Sequence, residues 1–398
     1  MPKRTIAIAG CGIGGLACAA LLAREGNRVV VFDRMQAPTA LGSGLILQPV
    51  GLAVLDEIGV GARLRLLGAE IGRLFGRTRG SGRVVLDVRY GRLGEHAGHG
   101  VGIHRGALFE ALLAAAVQAG AEIAGSRDIT GASDGRLSFA SGATTARHDL
   151  IVNALGVRSP LSWRKPLAPL PFGALWANLD WVGAPFDATA LEQRYEAARR
   201  MVGVMPIGRL RSDAPQQAAF FWSLRHADMA AWRSASLDSW KHDVRRLWPQ
   251  TEPFLDQIHD RDQMIMASYA HGTLGAPVSN GVVHVGDSWH CASPQLGQGA
   301  NMALLDAMAL ARALDAHGDM AGALAAYSAA RVTHIRLYQL ASWMFTPAYQ
   351  SNGAIAAWVR DWLMSPLSRI WPMPKILAAL VSGSIASPLA AIATLGDR

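Results

Sequence analysis

Thr5-Ile6-Ala7-Ile8-Ala9-Gly10-Cys11-Gly12-Ile13-Gly14-Gly15-Leu16, close to the start of a chain of 398 residues, decides how the rest is read. Thr5 to Ala9 is an apolar run suited to a buried strand, Leu16 to Arg24 reads as a helix, and the β-branched run Val29 to Phe32 suits a second buried strand. In a strand, turn, helix, strand unit of this kind the GxGxxG spacing acquires a physical meaning. Gly10 permits a tight turn, Gly12 lets the backbone approach a pyrophosphate, and Gly15 lets helix and strand pack closely. Ile13 and Gly14 belong to the same turn, where the helix N-terminus offers free N–H groups and partial positive charge to an anion. Asp33 ends the second strand 18 residues after Gly15 and can accept hydrogen bonds from a ribose, with Arg34 beside it. These seven residues are candidate dinucleotide contacts, but the motif alone does not choose between FAD and NAD.

Composition agrees with a folded, cofactor-binding body of roughly two to three domains. Hydrophobic residues make up 51% and charged residues 17%, a balance suited to extensive interior rather than disorder. The net charge of +8 comes from scattered Lys and Arg rather than a phosphate-tracking stripe, so nucleic acid is excluded as a partner and an anionic cofactor or substrate is favoured. Cys11, Cys18 and Cys291 are too few and too badly spaced for a disulfide scaffold or a zinc site. No metal is expected, and a reducing cytoplasm is the expected compartment. Lys3 and Arg4 before the Ala-rich stretch resemble a secretory leader, but glycines at motif spacing and a following strand argue for the folded unit instead.

Further along, Gly51 to Leu55 with Ile58 suggests a short amphipathic helix, and Arg83 to Val88 a strand. Arg105 to Gln118 repeats Leu108, Leu112 and Ala116 at helical spacing, and the Gly-punctuated stretch Ala121 to Ala146 suggests short antiparallel strands. Asp149 to Ala154 is again a buried strand. Leu175 to Val182, Met201 to Ile207 and Ala218 to Leu224 are aromatic-rich alternating runs expected to form a second, mostly antiparallel sheet.

Gly281 to Asp287 reads GVVHVGD, a buried strand that delivers an Asp to its carboxyl end, where ligands sit in open α/β sheets. Pro294, Gly297 and Gly299 then shape a turn feeding the N-terminus of a helix that runs from about Ala300 and Asn301 to Leu314. Such a terminus can stabilise negative charge on a ring system. Gly286, Asp287, Pro294, Gly297, Gly299, Ala300 and Asn301 join the candidate cofactor residues.

GCGIGGL, VFDR at Val31 to Arg34, HRGALFEAL from His104 and VGDSWHCASPQLGQGANMALLDA from Val285 together resemble the group A flavoprotein monooxygenases, the family of the para-hydroxybenzoate hydroxylases, over about the first 345 residues. The resemblance implies an α/β fold: a Rossmann-like FAD-binding domain from 1–70, 101–170 and 275–345, an interleaved antiparallel substrate domain from 71–100 and 171–274, and a C-terminal helical region at 346–398. It also implies that Asp287 holds the flavin ribityl chain and that Arg105 contacts the flavin. The implied activity is that of an FAD-dependent monooxygenase. NAD(P)H, a transient co-substrate, reduces the non-covalent FAD; O2 is taken up as a flavin C4a-hydroperoxide; and one oxygen passes to an apolar, aromatic small molecule by hydroxylation or epoxidation. The cofactor supplies the hard chemistry, so no catalytic residue of the protein is named.

The family's middle motif reads A-D-G-x-x-S, whereas here Ala154, Leu155, Gly156 and Ser159 put Leu155 in place of the Asp. Leu155 and Gly156 remain candidate cofactor neighbours, and flavin reduction by nicotinamide is expected to be slow. Phe220, Trp222 and Tyr269 are candidates for a substrate wall, although aromatics in alternating strands more often form core. His271, His284 and His290 read as structural or solvent-facing. A flavin-dependent reductase or halogenase of the same fold is the alternative enzyme, although the W-x-W-x-I-P segment expected of a halogenase does not occur. A flavin-binding protein without turnover is the alternative outside enzymes. From Trp343 the sequence suggests apolar helical pieces broken by Pro347, Pro366, Pro372, Pro374 and Pro388. Within that tail, Pro374 to Leu395 is expected to pack on the body, with peripheral membrane contact as the other reading.

Overall fold

Thr5–Ala9 stands in the middle of a sheet whose parallel strands run in the order Glu122–Ala124, Arg28–Phe32, Thr5–Ala9, Leu150–Asn153 and Val282–His284. Val278–Ser279 closes one edge antiparallel. The structure is a computed structural model that describes residues 3–39, 42–94, 98–163, 165–386 and 388–396. The central strands are apolar on consecutive residues because both faces are covered. Helices Ile13–Arg24, Arg105–Gln118 and Gly299–Ala316 pack on one side, and the hairpin Ile129–Ser133 with Arg136–Phe139 packs on the other.

Ala121 to Ala146 therefore departs from the expected run of antiparallel strands. Glu122–Ala124 pairs parallel to Arg28–Phe32 and extends the main sheet, and only the later hairpin is antiparallel. The free edge of Arg28–Phe32 accounts for this, because its unpaired backbone groups need a ladder partner.

A second sheet of seven strands follows the order Ile265–Ala267, Phe172–Asp180, Gln217–Arg225, Arg200–Gly208, Ala190–Glu196, Arg73–Thr78 and Val84–Arg89. All its pairs are antiparallel except Ala190–Glu196 with Arg73–Thr78. One face buries Phe220 and Trp222 against Trp240, Val244 and Phe254. The other faces the first domain and the C-terminal helices. A three-stranded sheet of Leu45–Leu47, Gly100–Ile103 and Ala69–Ile71 bridges the two layers. Its close approach requires glycine at position 102, where a Cβ would meet Pro206 O at 2.1 Å.

Helix Met320–Tyr349 passes through Pro347 instead of ending there. Pro347 lies in the last turn, so its missing N–H removes one bond beside the exposed Trp343, and the Thr346 hydroxyl donates back to Ser342 O at 2.6 Å. Pro366 likewise sits within a helical run, Ala354–Leu367, that widens to a π-turn over Arg360–Met364 just before it. Helices Met373–Ser382 and Pro388–Gly396 lie on the body: Ala378, Val381, Ile392 and Leu395 are buried, and Tyr338 Oη donates to Leu380 O at 2.8 Å.

Candidate active site

The three sequence motifs meet at the carboxyl ends of three neighbouring strands. Ala154 N donates to Ala9 O at 2.8 Å and Val285 N to Asn153 O at 3.0 Å, so the glycine turn, the Ala154–Arg158 segment and the Gly286–Asp287 turn emerge side by side. Gly10 has φ +102, and a Cβ there would stand 2.7 Å from Ala154 O. At Gly15 a Cβ would overlap Gly10 O at 2.0 Å, and at Gly14 it would crowd the Ala303 methyl at 3.2 Å. A Cβ at Gly12 would meet nothing within 4 Å. Gly12 is also the N-cap of helix Ile13–Arg24, which has no side-chain cap and no acid in its first turn. The first N–H groups of that helix thus face open space, a ready anion site.

Asp33 accepts from Cys11 N through Oδ2 at 2.8 Å and from Met35 N through Oδ1 at 2.9 Å. Its carboxylate therefore braces the glycine turn, and the remaining lone pairs are what a ribose could use. Arg34 is exposed beside it. Leu155 is half-buried, its side chain packed against the cluster that holds Phe139, Ile151 and Val282 on the hairpin side of the sheet. Gly156 follows in the left-handed region at φ +75.

Beyond the Gly286–Asp287 turn lies a cleft of about 550 Å³ between the two sheets and the C-terminal helices. Arg105, Asp287, Pro294, Gly297, Gly299 and Ala300 all line it. Arg105 starts its helix, and its Nε is buried with no partner among the described residues. Burial lowers the affinity of this guanidinium for its proton, opposed by Asp287 nearby. Burial raises the pKa of Asp287, while His290 and Arg105 pull it down. Asp287 sits among buried neighbours, but its own side chain is exposed to the open cleft. Helix Gly299–Ala316 starts at the same place, with Gln298 as an N-cap that makes no side-chain cap and with no acid in the first turn. Asn301 does not reach the cleft. It is fully buried, accepting from Gln48 N at 2.8 Å and donating to Ile46 O and Gly297 O at 3.1 and 3.0 Å. Asn301 shapes the wall by clamping two loops.

The aromatic wall differs from the expected one. Tyr269 stands on the cleft, where its Oη accepts from Trp176 Nε1 at 3.0 Å and burial pushes its pKa up to about 12. Phe220 and Trp222 point to the opposite face of the sheet, packed on Trp240. Alternation along Gln217–Arg225 turns Phe221 to the cleft instead, stacked on Trp176 with ring centroids 4.5 Å apart. Tyr195, Met201 and Tyr349 complete that end of the cleft.

A buried polar network behind Asp287 went unread in the sequence. Asp306 accepts from His290 Nε2 at 2.6 Å, Arg331 Nε at 2.8 Å and Gly286 N at 2.8 Å. Arg331 continues to His334, which reaches Gly383 O at 3.1 Å. A lone acid in the otherwise apolar run Met302–Ala311 is its visible signal. His284 is buried, which lowers its pKa to about 4. Its neutral ring therefore accepts from Asn153 Nδ2 at Nδ1 and donates from Nε2 to Ser279 Oγ. Among the described residues no cluster of His, Cys, Asp or Glu suits a metal.

Two uncapped helix starts, a turn that only glycine can occupy, a guanidinium whose buried Nε has no partner among the described residues and an acid at a strand end fit a dinucleotide that carries a planar ring into the cleft. The molecule is thus a doubly layered α/β cofactor-binding protein with its site at parallel strand ends. Residues 3–338 match the FAD binding domain family; the chain belongs to that family, and with it to the FAD-dependent monooxygenases. It is 27% identical over 382 residues to aurachin C monooxygenase/isomerase of Stigmatella aurantiaca, covering 92% of this chain and 94% of that protein. It is 26% identical over 328 residues to 2-heptyl-3-hydroxy-4(1H)-quinolone synthase of Mycobacteroides abscessus, covering 79% and 82% respectively. In fold it resembles Pseudomonas aeruginosa PqsL, solved in complex with 2-aminobenzoylacetate, at a TM-score of 0.76 with 22% identity over 89% of this chain and 99% of that one.

Proposed function

We propose that the chain uses NAD(P)H and O2 to add one oxygen atom to an apolar aromatic small molecule, most simply a fused heteroaromatic ring of the quinolone type. The observation that carries this reading is the Trp176–Phe221 pair, which forms an apolar slot on the wall of the cleft that Arg105 and Asp287 also line. A flat apolar ring gains both burial and offset stacking there. The quinolone class is suggested by the name of the Mycobacteroides relative.

Bound FAD would supply the redox chemistry and the activation of oxygen. The chain's own residues bind and orient. The N–H groups at Gly12 to Gly14 and the carboxylate of Asp33 would hold the phosphates and a ribose, with Arg34 adding positive charge at the rim. Asp287 would accept hydrogen bonds from the ribityl hydroxyls, and the unpartnered Nε of Arg105 would donate to the ring system. The start of helix Gly299–Ala316 would favour negative charge on that ring. Tyr269 keeps its proton at neutral pH, and that O–H is free to donate to a carbonyl or hydroxyl on the substrate. In this reading segments 1–70, 101–170 and 275–345 hold the cofactor and 71–100 and 171–274 the substrate. The setting is a reducing cytoplasm in which Cys11, Cys18 and Cys291 stay as thiols.

The test is the absorbance spectrum of the purified protein, then NAD(P)H oxidation against phenols, 4-quinolones and polyketide aromatics. The expected result is a yellow protein and a 4-quinolone that speeds oxidation and gains one oxygen. Oxidation unaffected by every aromatic, with none modified, would overturn it.

A further inference from the structure

Eleven of the fourteen exposed large apolar side chains among the described residues fall between Leu340 and Ile376. Four are tryptophans: Trp343, Trp358, Trp362 and Trp371, the last 84% exposed. They follow helical spacing, Leu340 with Trp343 and Met344 at the end of the long helix and Ile355 with Trp358 and Trp362 on the next, so each helix turns one apolar face outward. Soluble surfaces rarely carry such a concentration without a partner. The sequence expectation for Pro374 to Leu395 is packing on the body, with membrane contact as the other reading, and most of that stretch does pack inward. The outward-facing part is the preceding segment.

Charge selects the partner. Between Leu340 and Ile376 the one acid, Asp361, is tied to the buried guanidinium of Arg360 at 2.7 Å. Arg369 and Lys375 are exposed in the same segment, and the Arg83 guanidinium lies 3.7 Å over the Trp362 ring. Arg92 is exposed on the short turn against which helix Met373–Ser382 packs. A second copy docking about a two-fold axis would set these cations against themselves, with the segment's one acid already paired to Arg360. An anionic bilayer meets both features at once, because tryptophan favours the headgroup boundary and Arg and Lys favour anionic lipid. No helix among the described residues is long and apolar enough to cross a membrane, so contact would lie in the interface. The cleft opens here too: Leu367 lines it and is 47% exposed.

We propose that the Leu340–Ile376 face docks on an anionic membrane surface, which places the mouth of the cleft at the bilayer. Resting on the proposed function only for its consequence, this would let an apolar substrate enter from lipid without crossing water. The experiment is sedimentation of the FAD-loaded protein with vesicles of phosphatidylcholine alone or mixed with phosphatidylglycerol. Binding is read without turnover, so its failure is distinct from failure of the proposed reaction. The expected result is salt-sensitive binding to the anionic vesicles. Arg369→Gln with Lys375→Gln should weaken it by about fivefold per charge. Trp358→Ser with Trp362→Ser and Trp371→Ser should abolish it, with flavin content and melting temperature unchanged. In the unsubstituted protein, bromine-labelled lipid should quench tryptophan fluorescence, a readout that no folding defect can mimic. Absence of binding and of quenching would overturn the proposal. So would a concentration-dependent dimer that the three Trp substitutions dissolve, since the face would then belong to a second copy.

Discussion

His290 Nε2 donates to Asp306 Oδ2 at 2.6 Å inside the protein, where both side chains are shut off from solvent. Burial alone would raise the pKa of Asp306, but His290, Arg331 at 2.8 Å and the Gly286 amide hold it at about 2. The network joins the Gly286–Asp287 turn to the C-terminal helices through His334 and Gly383. Asp306→Asn should therefore cost about 3–5 kcal/mol, because it strands the Arg331 charge in the interior. Replacing the pair together, Asp306→Leu with Arg331→Met, should recover most of that loss. A depressed carboxylate pKa stabilises above the unfolded Asp range of about 4. That contribution should disappear as pH falls from there through about 2, in a step missing from Asp306→Asn. Chemical denaturation at several pH values checks it, and a single variant as stable as the parent would refute it.

Arg105→Met should weaken FAD binding by about ten- to a hundredfold, the worth of a charge-assisted hydrogen bond. Arg105→Lys should recover only part, since it keeps the charge but not the planar fork. Because Arg105 pulls the Asp287 pKa down, its loss should also move the acid limb of FAD retention to higher pH. Titration of apoprotein with FAD across pH measures both effects. A limb that moves downward would separate the two residues.

Phe220 and Phe221 are neighbours on one strand with opposite duties. Phe220→Ala should cost about 3–5 kcal/mol in stability through the cavity it leaves among Trp240 and Phe254, with KM unchanged. Phe221→Ala removes the ring stacked on Trp176 and should raise substrate KM by about two- to tenfold. Steady-state kinetics beside thermal melts distinguish them, and equal KM values would show that the slot does not bind the ring.

These two residues also mark the limit of what the sequence reveals. The glycine turn, the strand before Asp287 and helix Arg105–Gln118 are legible because short-range rules govern them: a positive φ, a continuous apolar run, a 3.6-residue repeat. The fold class follows. Which face of Gln217–Arg225 meets the cleft is not legible, because residues 218–224 are all buried and polarity does not alternate. Asn301 is hidden for a similar reason. Its position in a motif suggests contact with a ligand, but only tertiary packing shows its amide spent on Gln48 and Ile46. The Asp306–Arg331 pair links positions 25 apart, and no local pattern encodes such a partner.

Leu155 stands where the family has an Asp, and its backbone runs directly beneath Gly10, whose Cβ would fall 3.1 Å from Leu155 N. Its side chain packs against the cluster that holds Phe139 and Ile151, so it contributes packing and accepts no hydrogen bond. Whatever an Asp would organise there, ordered water or the ribose of the transient nicotinamide, lacks that acceptor. A missing charged hydrogen bond is worth about 1.5–3 kcal/mol, or about ten- to a hundredfold in a rate. Flavin reduction by NAD(P)H should thus be slow in the parent and faster by that factor in Leu155→Asp, with FAD still bound and stability lowered by the lost packing. Leu155→Ala separates the two causes, because it loses the packing without adding an acceptor and should not speed reduction. Anaerobic stopped-flow bleaching of the flavin, with and without an aromatic substrate, reads the rate directly. A parent that reduces rapidly and an Asp variant that reduces more slowly would mean that the Leu is adapted to this site and that the nicotinamide is positioned by other residues.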